Sequence, residues 1–401
     1  MELNLIKIKE AQTNIHGVVR RTPLFFTSTY SDKCGCKIYL KCENKQKTGA
    51  FKLRGAYNKL VCLTEEEKSK GVIASSAGNH AQGVAYAATA FGVKSTIVMP
   101  LTAPQAKIQA TRGYGAEVIQ AGQVYDECYA KAVEVQKETG ATFLHPFNDV
   151  EVMAGQGTIG LEILEDLPEA DVVLVPIGGG GLIAGIATAL KSIKPEIRVI
   201  GIQPEIIAST KASLEKGEVV TLPGAKSLAD GISVSTPGNE CFKYIKKYVD
   251  DVITVSEEEI AFAMFNLMER SKLVAEGAGA APLAALLAGK ITGLADKNVV
   301  ALISGGNVDI ATSAKIIERE LVLLKRRIRF TVELADKVGQ LGTLISDISS
   351  LGGNVVTARQ DNNWNEKGLE YANVNFEVSA ESPEHGKYLI EELKAKGYNI
   401  L

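Results

Sequence analysis

The chain has 401 residues, room for two to three domains at roughly 150 residues each. A formal net charge of −3 and a pI near 6.0, with no run of five basic residues, exclude a global field for nucleic acid. Six cysteines (Cys34, Cys36, Cys42, Cys62, Cys128, Cys241) and four scattered histidines lack the paired spacing of a structural zinc site; without a signal peptide they fit a reducing cytoplasm.

In chain order, the first unusual stretch is KTGAFKLRGAYNKL (Lys47 to Leu60), which sets Lys52 between Phe51 and Leu53 at an expected loop-to-helix junction. A lysine in that frame is either a snorkelling surface charge or an amine kept neutral for chemistry. Further along, GVIASSAG, KSTIVMP, GAEVIQAG, DVVLVPIGGGG, RVIGIQPE and NVVALISGG each predict a short strand ending in glycine, proline or small polar residues. Helical patterns such as YDECYAKAVEVQKETG and TIGLEILEDL lie between them. The alternation predicts an α/β fold with mostly parallel sheets and helices on both faces. Ligands then bind beyond the carboxyl ends of the strands.

SSAGNHAQG (Ser75 to Gly83) predicts a strand turning into a helix, whose free N–H groups and neighbouring hydroxyls suit a carboxylate or phosphate. VVLVPIGGGGLIAGIATAL (Val172 to Leu190) is 19 uncharged residues, close to a membrane span. Pro176 and four successive glycines instead predict a buried strand, a turn and a helix from Leu182. The GGGGL turn, Gly178 to Leu182, suits a phosphate. Gly179, Gly181 and Ala184 also satisfy the relaxed dinucleotide pattern, with Glu205 about twenty residues on, so a nicotinamide enzyme is a rival. SGGN (Ser304 to Asn307) brings a hydroxyl to a third strand end.

Composition changes after about residue 326. RRIRFTVEL, KVGQLGTLISDISSLGG, NVVTARQ, YANVNFEVS, PEHGKYLIEELKAKG and a short apolar end predict strand, helix, strand, strand, helix, strand, with a polar loop DNNWNEKG between the middle strands. That is a ferredoxin-like α+β unit without a nucleophile–base pair. The expected division is 1–325 and 326–401.

An amine, an anion cradle and a hydroxyl at three strand ends meet the needs of pyridoxal phosphate. The spaced set TGAFKLRGA, SAGNHAQG, GGGGL and SGGN resembles fold-type II pyridoxal-phosphate enzymes, most closely the threonine dehydratases (threonine ammonia-lyases), over about residues 15 to 320. The resemblance implies a two-lobed catalytic domain. In it Lys52 forms the internal imine and Phe51 packs beside the ring. Asn79 meets the ring hydroxyl, Gly178, Gly179, Gly180, Gly181 and Leu182 hold the phosphate, and Ser304 faces the ring nitrogen. Ser76, Gly78 and His80 help bind the substrate carboxylate, while Gly231 and Glu276 line the pocket. It implies β-elimination from threonine, and from serine too; β-replacement on the same fold is the nearest alternative. Ala77 stands where serine racemases carry a serine, so efficient racemisation is not expected. Gln203 and Ser209 replace acidic ligands of a cation site in relatives, so no metal is expected.

The C-terminal unit resembles an ACT domain, with Val338 at a usual proline. This implies a homo-oligomer, dimer or tetramer, and leaves two alternatives for the ACT-like domain: an amino-acid effector site, with isoleucine or valine inhibition, or a degenerate, unregulated module. No nucleic-acid or membrane partner is expected. The resemblance leaves isoleucine synthesis and threonine breakdown both open as the physiological role.

Overall fold

The computed structural model describes residues 2–361 and 370–401. Beyond Asp361, the polar loop expected between the middle strands of the C-terminal unit lies outside the described residues. The chain divides into two compact units, 1–308 and 309–401.

The first unit contains two sheets. The larger has the order β1 (Leu24–Phe26), β2 (Lys37–Cys42), β10 (Asn298–Ile303), β7 (Val172–Pro176), β8 (Arg198–Pro204) and β9 (Asp251–Val255). Only β1 is antiparallel to its neighbour. The smaller sheet is all parallel, in the order β5 (Glu117–Gln120), β4 (Ser95–Met99), β3 (Val72–Ser75) and β6 (Thr142–Phe143). The chain thus leaves the larger sheet after β2, builds the smaller lobe, and returns at β7.

β7 is buried at every residue and β10 at all but its first, as expected when helices cover both faces of a parallel sheet. Glycines set the spacing of that cover. A Cβ at Gly185 would lie 2.2 Å from the Met153 carbonyl oxygen, so helices Val150–Asp166 and Gly181–Ile193 cross with their backbones in contact. This close crossing carries the glycine turn after β7 toward the loop before residue 150. Ser75, Pro176 and Ile303 end their strands where the lobes face each other, as parallel topology requires.

In the second unit, helix Ile310–Leu323 precedes an antiparallel sheet ordered β12 (Asn354–Asp361), β13 (Tyr371–Ser379), β11 (Arg327–Ala335) and β14 (Asn399–Ile400). Residues 310–323 lie before the compositional change at about 326, yet they belong to this unit. Alternation places Phe330, Val332, Leu334, Val374, Phe376 and Val378 on one face. Leu344, Ile348, Leu389 and Leu393, from helices Gln340–Ser350 and Pro383–Ala395, close the core over them. The strand order is ferredoxin-like, as the pattern of the sequence predicts.

Candidate active site

Every site residue expected from the sequence lines one cleft of about 1080 Å³ between the two lobes of the first unit. Lys52 is the first residue of helix Lys52–Val61. The Phe51 N–H donates to the Ser304 carbonyl at 3.0 Å, and Ala50 bridges to Gly305, so the lysine loop is stitched to the turn after β10. The Lys52 ammonium donates to the Pro146 carbonyl at 2.8 Å and sits 5.2 Å from the Phe51 ring centre.

Burial lowers the Lys52 pKa from 10.5 to about 8, against the opposing pull of Cys241 and Glu276. Between those two values the unfolded chain holds more protons than the folded one, so this group's contribution to stability improves as pH rises from about 8 to 10.5. The same shift leaves a usable neutral fraction near neutral pH. The rate at which cofactor-free protein captures pyridoxal phosphate should therefore rise with an apparent pKa near 8. A midpoint near 10.5, measured by stopped-flow absorbance over a pH series, contradicts a desolvated amine.

The turn that receives Lys52 is itself organised by a histidine. His145 Nδ1 accepts from the N–H groups of Phe147 and Asn148 at 3.3 and 2.8 Å. Burial, and then the nearby Lys52 charge, depress its pKa to about 4, which keeps that lone pair available. The Pro146 and Phe147 carbonyls are thereby aimed at the Lys52 ammonium and the Cys241 thiol, the latter at 3.2 Å.

The glycine turn after β7 combines close packing with free backbone donors. Each of its positions is crowded: a Cβ would lie 3.0 Å from Ile232 Cα at Gly178, 2.4 Å from the Phe147 ring at Gly179, 2.7 Å from Ile245 at Gly180 and 2.7 Å from the Phe147 oxygen at Gly181. Close packing therefore accounts for all four glycines, so their number alone is no evidence for a phosphate site. The phosphate reading rests instead on donors. Among the described residues, the N–H groups of Gly178 to Leu182 donate to no protein acceptor and front the cleft at the start of helix Gly181–Ile193. Gly179→Ala should weaken cofactor affinity about tenfold or more, since overpacking against Phe147 displaces the turn. Titration of the cofactor-free variant with pyridoxal phosphate measures this directly.

On the smaller lobe, Asn79 and His80 open helix Asn79–Ala90, and Ser76 Oγ accepts from the Gly78 N–H at 3.2 Å. His80 differs from expectation in how it can act. Its imidazole is buried and Nε2 donates to the Leu144 carbonyl at 2.8 Å. Desolvation depresses its pKa to about 3, so it brings no charge to an anion. That leaves only its backbone N–H, one of those that lack a helical acceptor, to meet a carboxylate.

Glu276 ends the loop before helix Gly277–Leu287 and accepts from Asn79 Nδ2 at 2.7 Å. Burial, then the Asp230 charge, raise its pKa to about 7, opposed by the Asn79 hydrogen bond and by Lys107 and Lys52. Gly231 lies in the turn Asp230–Ile232, where a Cβ would be 3.9 Å from Glu276 Oε1. Ser304 is buried at the carboxyl end of β10.

Sequence reasoning assigned no role to Pro146, Phe147, Cys241, Asn307 or the Lys107–Asp230 pair, which spans the cleft at 3.4 Å. Of these only Asn307 belongs to one of the strand-end motifs, SGGN. Glu205, the rival nicotinamide marker, pairs with Lys290 at 2.8 Å and does not line the cleft. Gln203 Oε1 accepts from the Thr210 and Lys211 N–H groups, and Ser209 donates to the Val234 carbonyl, so hydrogen bonds occupy both side chains.

A family model described as pyridoxal-phosphate dependent enzyme matches residues 15–305. An L-threonine ammonia-lyase from Thermotoga maritima is 48% identical over 398 residues, covering 99% of each chain. Threonine deaminase isoform 2 from Solanum lycopersicum, in its processed form, is 37% identical with a TM-score of 0.75, covering 79% of this chain and 94% of that one. Maize serine racemase is 37% identical with a TM-score of 0.76, covering 80% and 98%. The site fits the cofactor of this family: a desolvated amine at a helix start, a cradle of N–H donors without protein acceptors, and a buried hydroxyl at a third strand end. This chain belongs to the pyridoxal-phosphate dependent enzyme family.

Proposed function

We propose that the chain deaminates L-threonine, and L-serine as well, by β-elimination of water, releasing 2-oxobutanoate or pyruvate and ammonia. The observation that carries this is Lys52, a desolvated amine facing a cleft that joins the donor cradle of Gly178 to Leu182 with the Ser304 turn. Pyridoxal phosphate, when bound, supplies the electron-withdrawing ring that weakens the substrate's α-C–H bond. Gly178, Gly179, Gly180, Gly181 and Leu182 would hold its phosphate, Asn79 would meet its ring hydroxyl, and Phe51 would pack beside it. Ser76, Gly78 and the His80 backbone N–H receive the substrate carboxylate.

Lys52, as a free amine whose pKa burial lowers to about 8, would be the base that takes the α-proton. The resulting ammonium then stands ready to protonate the departing β-hydroxyl. Ser304, an uncharged partner, would leave the ring nitrogen without the charge a carboxylate supplies, which would favour prompt loss of that hydroxyl. Ala77 offers a methyl where a second acid–base group would be needed to reprotonate the opposite face, so elimination outruns racemisation.

The loaded enzyme, given L-threonine alone, should release 2-oxobutanoate and ammonia in equal amounts. Turnover only on addition of a thiol would mean β-replacement, and would overturn the lyase reading.

The second unit completes the proposal as an ACT-like sensor of an amino-acid effector in a cytoplasmic homo-oligomer. Its ferredoxin-like sheet supports this. The six free cysteines support the reducing compartment, and among the described residues no helix is long and apolar enough to cross a membrane. Isoleucine and valine are the effectors to try. A shift in the threonine saturation curve with either supports the sensor, and no response to any proteinogenic amino acid speaks against it.

A further inference from the structure

We propose that Asn307 is a positioning residue which, together with Glu276, fixes the amide of Asn79 so that one Asn79 N–H stays directed to the cofactor in the cleft. The inference rests on the reading of Asn79 as the residue that meets the cofactor's ring oxygen.

Four groups form one line of hydrogen bonds. Asn307 Nδ2 donates to the Thr48 carbonyl at 2.8 Å and to Asn79 Oδ1 at 2.8 Å. Asn79 Nδ2 in turn donates to Glu276 Oε1 at 2.7 Å. The Thr48 backbone carbonyl at one end accepts only, and that end alone sets the direction of the line, whatever proton the Glu276 carboxyl carries at the other. Turning the Asn307 amide would set its oxygen against the Thr48 oxygen. Turning the Asn79 amide would set its nitrogen against the Asn307 nitrogen, and its oxygen against Glu276 whenever that carboxyl is ionised. One orientation of each amide therefore satisfies the whole line.

The hydrogens can be counted. Asn307 spends both amide hydrogens within the line. Asn79 spends one, and its second meets no protein acceptor among the described residues, while the side chain lines the cleft. A donor so fixed favours a ring oxygen that carries negative charge.

The surrounding backbone is shaped to this line. Gly49 has φ 73°, and a Cβ there would lie 2.3 Å from Asn307 Oδ1. At Gly305 a Cβ would lie 2.3 Å from Glu276 Oε1. The Glu276 N–H also donates to the Gly305 carbonyl at 3.1 Å. Glycines thus stand where any side chain would displace Asn307 or Glu276. The line joins the helix start of the smaller lobe to three turns of the larger one.

The test uses the full chain loaded with pyridoxal phosphate. Asn307→Asp has the same size but cannot donate, so Thr48 and Asn79 both lose their donor. Expected are a redistribution of the cofactor's visible absorption between its two protonic forms, a roughly tenfold rise in the Kd for pyridoxal phosphate, and a roughly tenfold fall in kcat with the KM for threonine changed far less. Asn307→Ser adds no charge and should move every readout the same way but less; it serves if the aspartate variant does not fold. A lower Tm with unchanged spectrum and Kd in either variant would make Asn307 merely structural and overturn the proposal. Asn79→Ala separates the two readings. If it changes the spectrum and the Asn307 variants do not, the positioning role falls while the role of Asn79 stands. If Asn79→Ala itself leaves the spectrum unchanged, the underlying reading falls and the proposal with it.

Discussion

Lys52→Ala should lower kcat for threonine by roughly 10⁴-fold or more, because it removes both the covalent anchor and the base. The fold should survive the change. Lys52 donates one hydrogen bond, to Pro146, and its buried amine is held below its ordinary pKa, so it opposes stability at neutral pH. Lys52→Ala should accordingly unfold no lower than wild type in calorimetry, while steady-state release of 2-oxobutanoate disappears. Lys52→Arg should be equally inactive, since a guanidinium stays charged and cannot take the α-proton. Residual turnover within about tenfold of wild type in Lys52→Ala would assign the base to another group.

Arg54→Leu should cost about 3–5 kcal/mol of stability, the largest effect expected outside the cleft. Arg54 is fully buried two residues after Lys52, inside the same motif. Its Nε and Nη2 donate to Glu43 at 2.9 and 2.8 Å, while Nη1 and Nη2 donate to Glu162 at 2.7 and 2.9 Å. Lys41 adds a 2.6 Å bond to Glu162 and a 2.7 Å bond to the Thr22 carbonyl. Two cations thus face two carboxylates in the interior. Removing the guanidinium leaves Glu43 without its ion-pair partner and Glu162 with Lys41 alone.

Burial alone would raise the Glu162 carboxyl, yet Arg54 and Lys41 hold it below its usual 4.5. Its contribution to stability is fully present above pH 4.5 and is lost as the pH falls through the lower folded value. Denaturant melts of Arg54→Leu at neutral pH test the magnitude. The exposed Lys70–Glu66 pair, 2.6 Å apart, is the contrast: screened by solvent, its removal should leave the melt unchanged. Equal effects from both pairs would mean that burial does not set the strength of the Arg54 cluster.

Much of this site was legible because its chemistry lives in short motifs at strand ends. Lys52 in an apolar frame, the donors of Gly178 to Leu182 and Ser304 after an apolar run each carry their own local signal. So does the second unit, where β11 and β13 alternate and helices Gln340–Ser350 and Pro383–Ala395 show apolar residues at helical spacing. What the sequence hid was tertiary. β1 and β6 are too short to show a period, and β2 and β9 mix charged with apolar residues. Asn307 stands in the SGGN motif, but its partners Asn79 and Thr48 lie 228 and 259 positions away. Arg54 looks like any helical arginine until Glu43 and Glu162 meet it.

The four glycines taught the opposite lesson. The motif was visible, but the steric demand of Phe147 and Ile245 behind it was not. The helix Ile310–Leu323 shows the same limit, since which unit it packs with depends on contacts rather than composition.

The most direct test of Lys52 as the cofactor's anchor is to reduce the loaded enzyme with borohydride and map the peptide that carries the cofactor. One labelled peptide spanning KTGAFKLR is expected, with the cofactor on Lys52. Label on any other lysine, or a protein that carries none after reduction, would contradict that role.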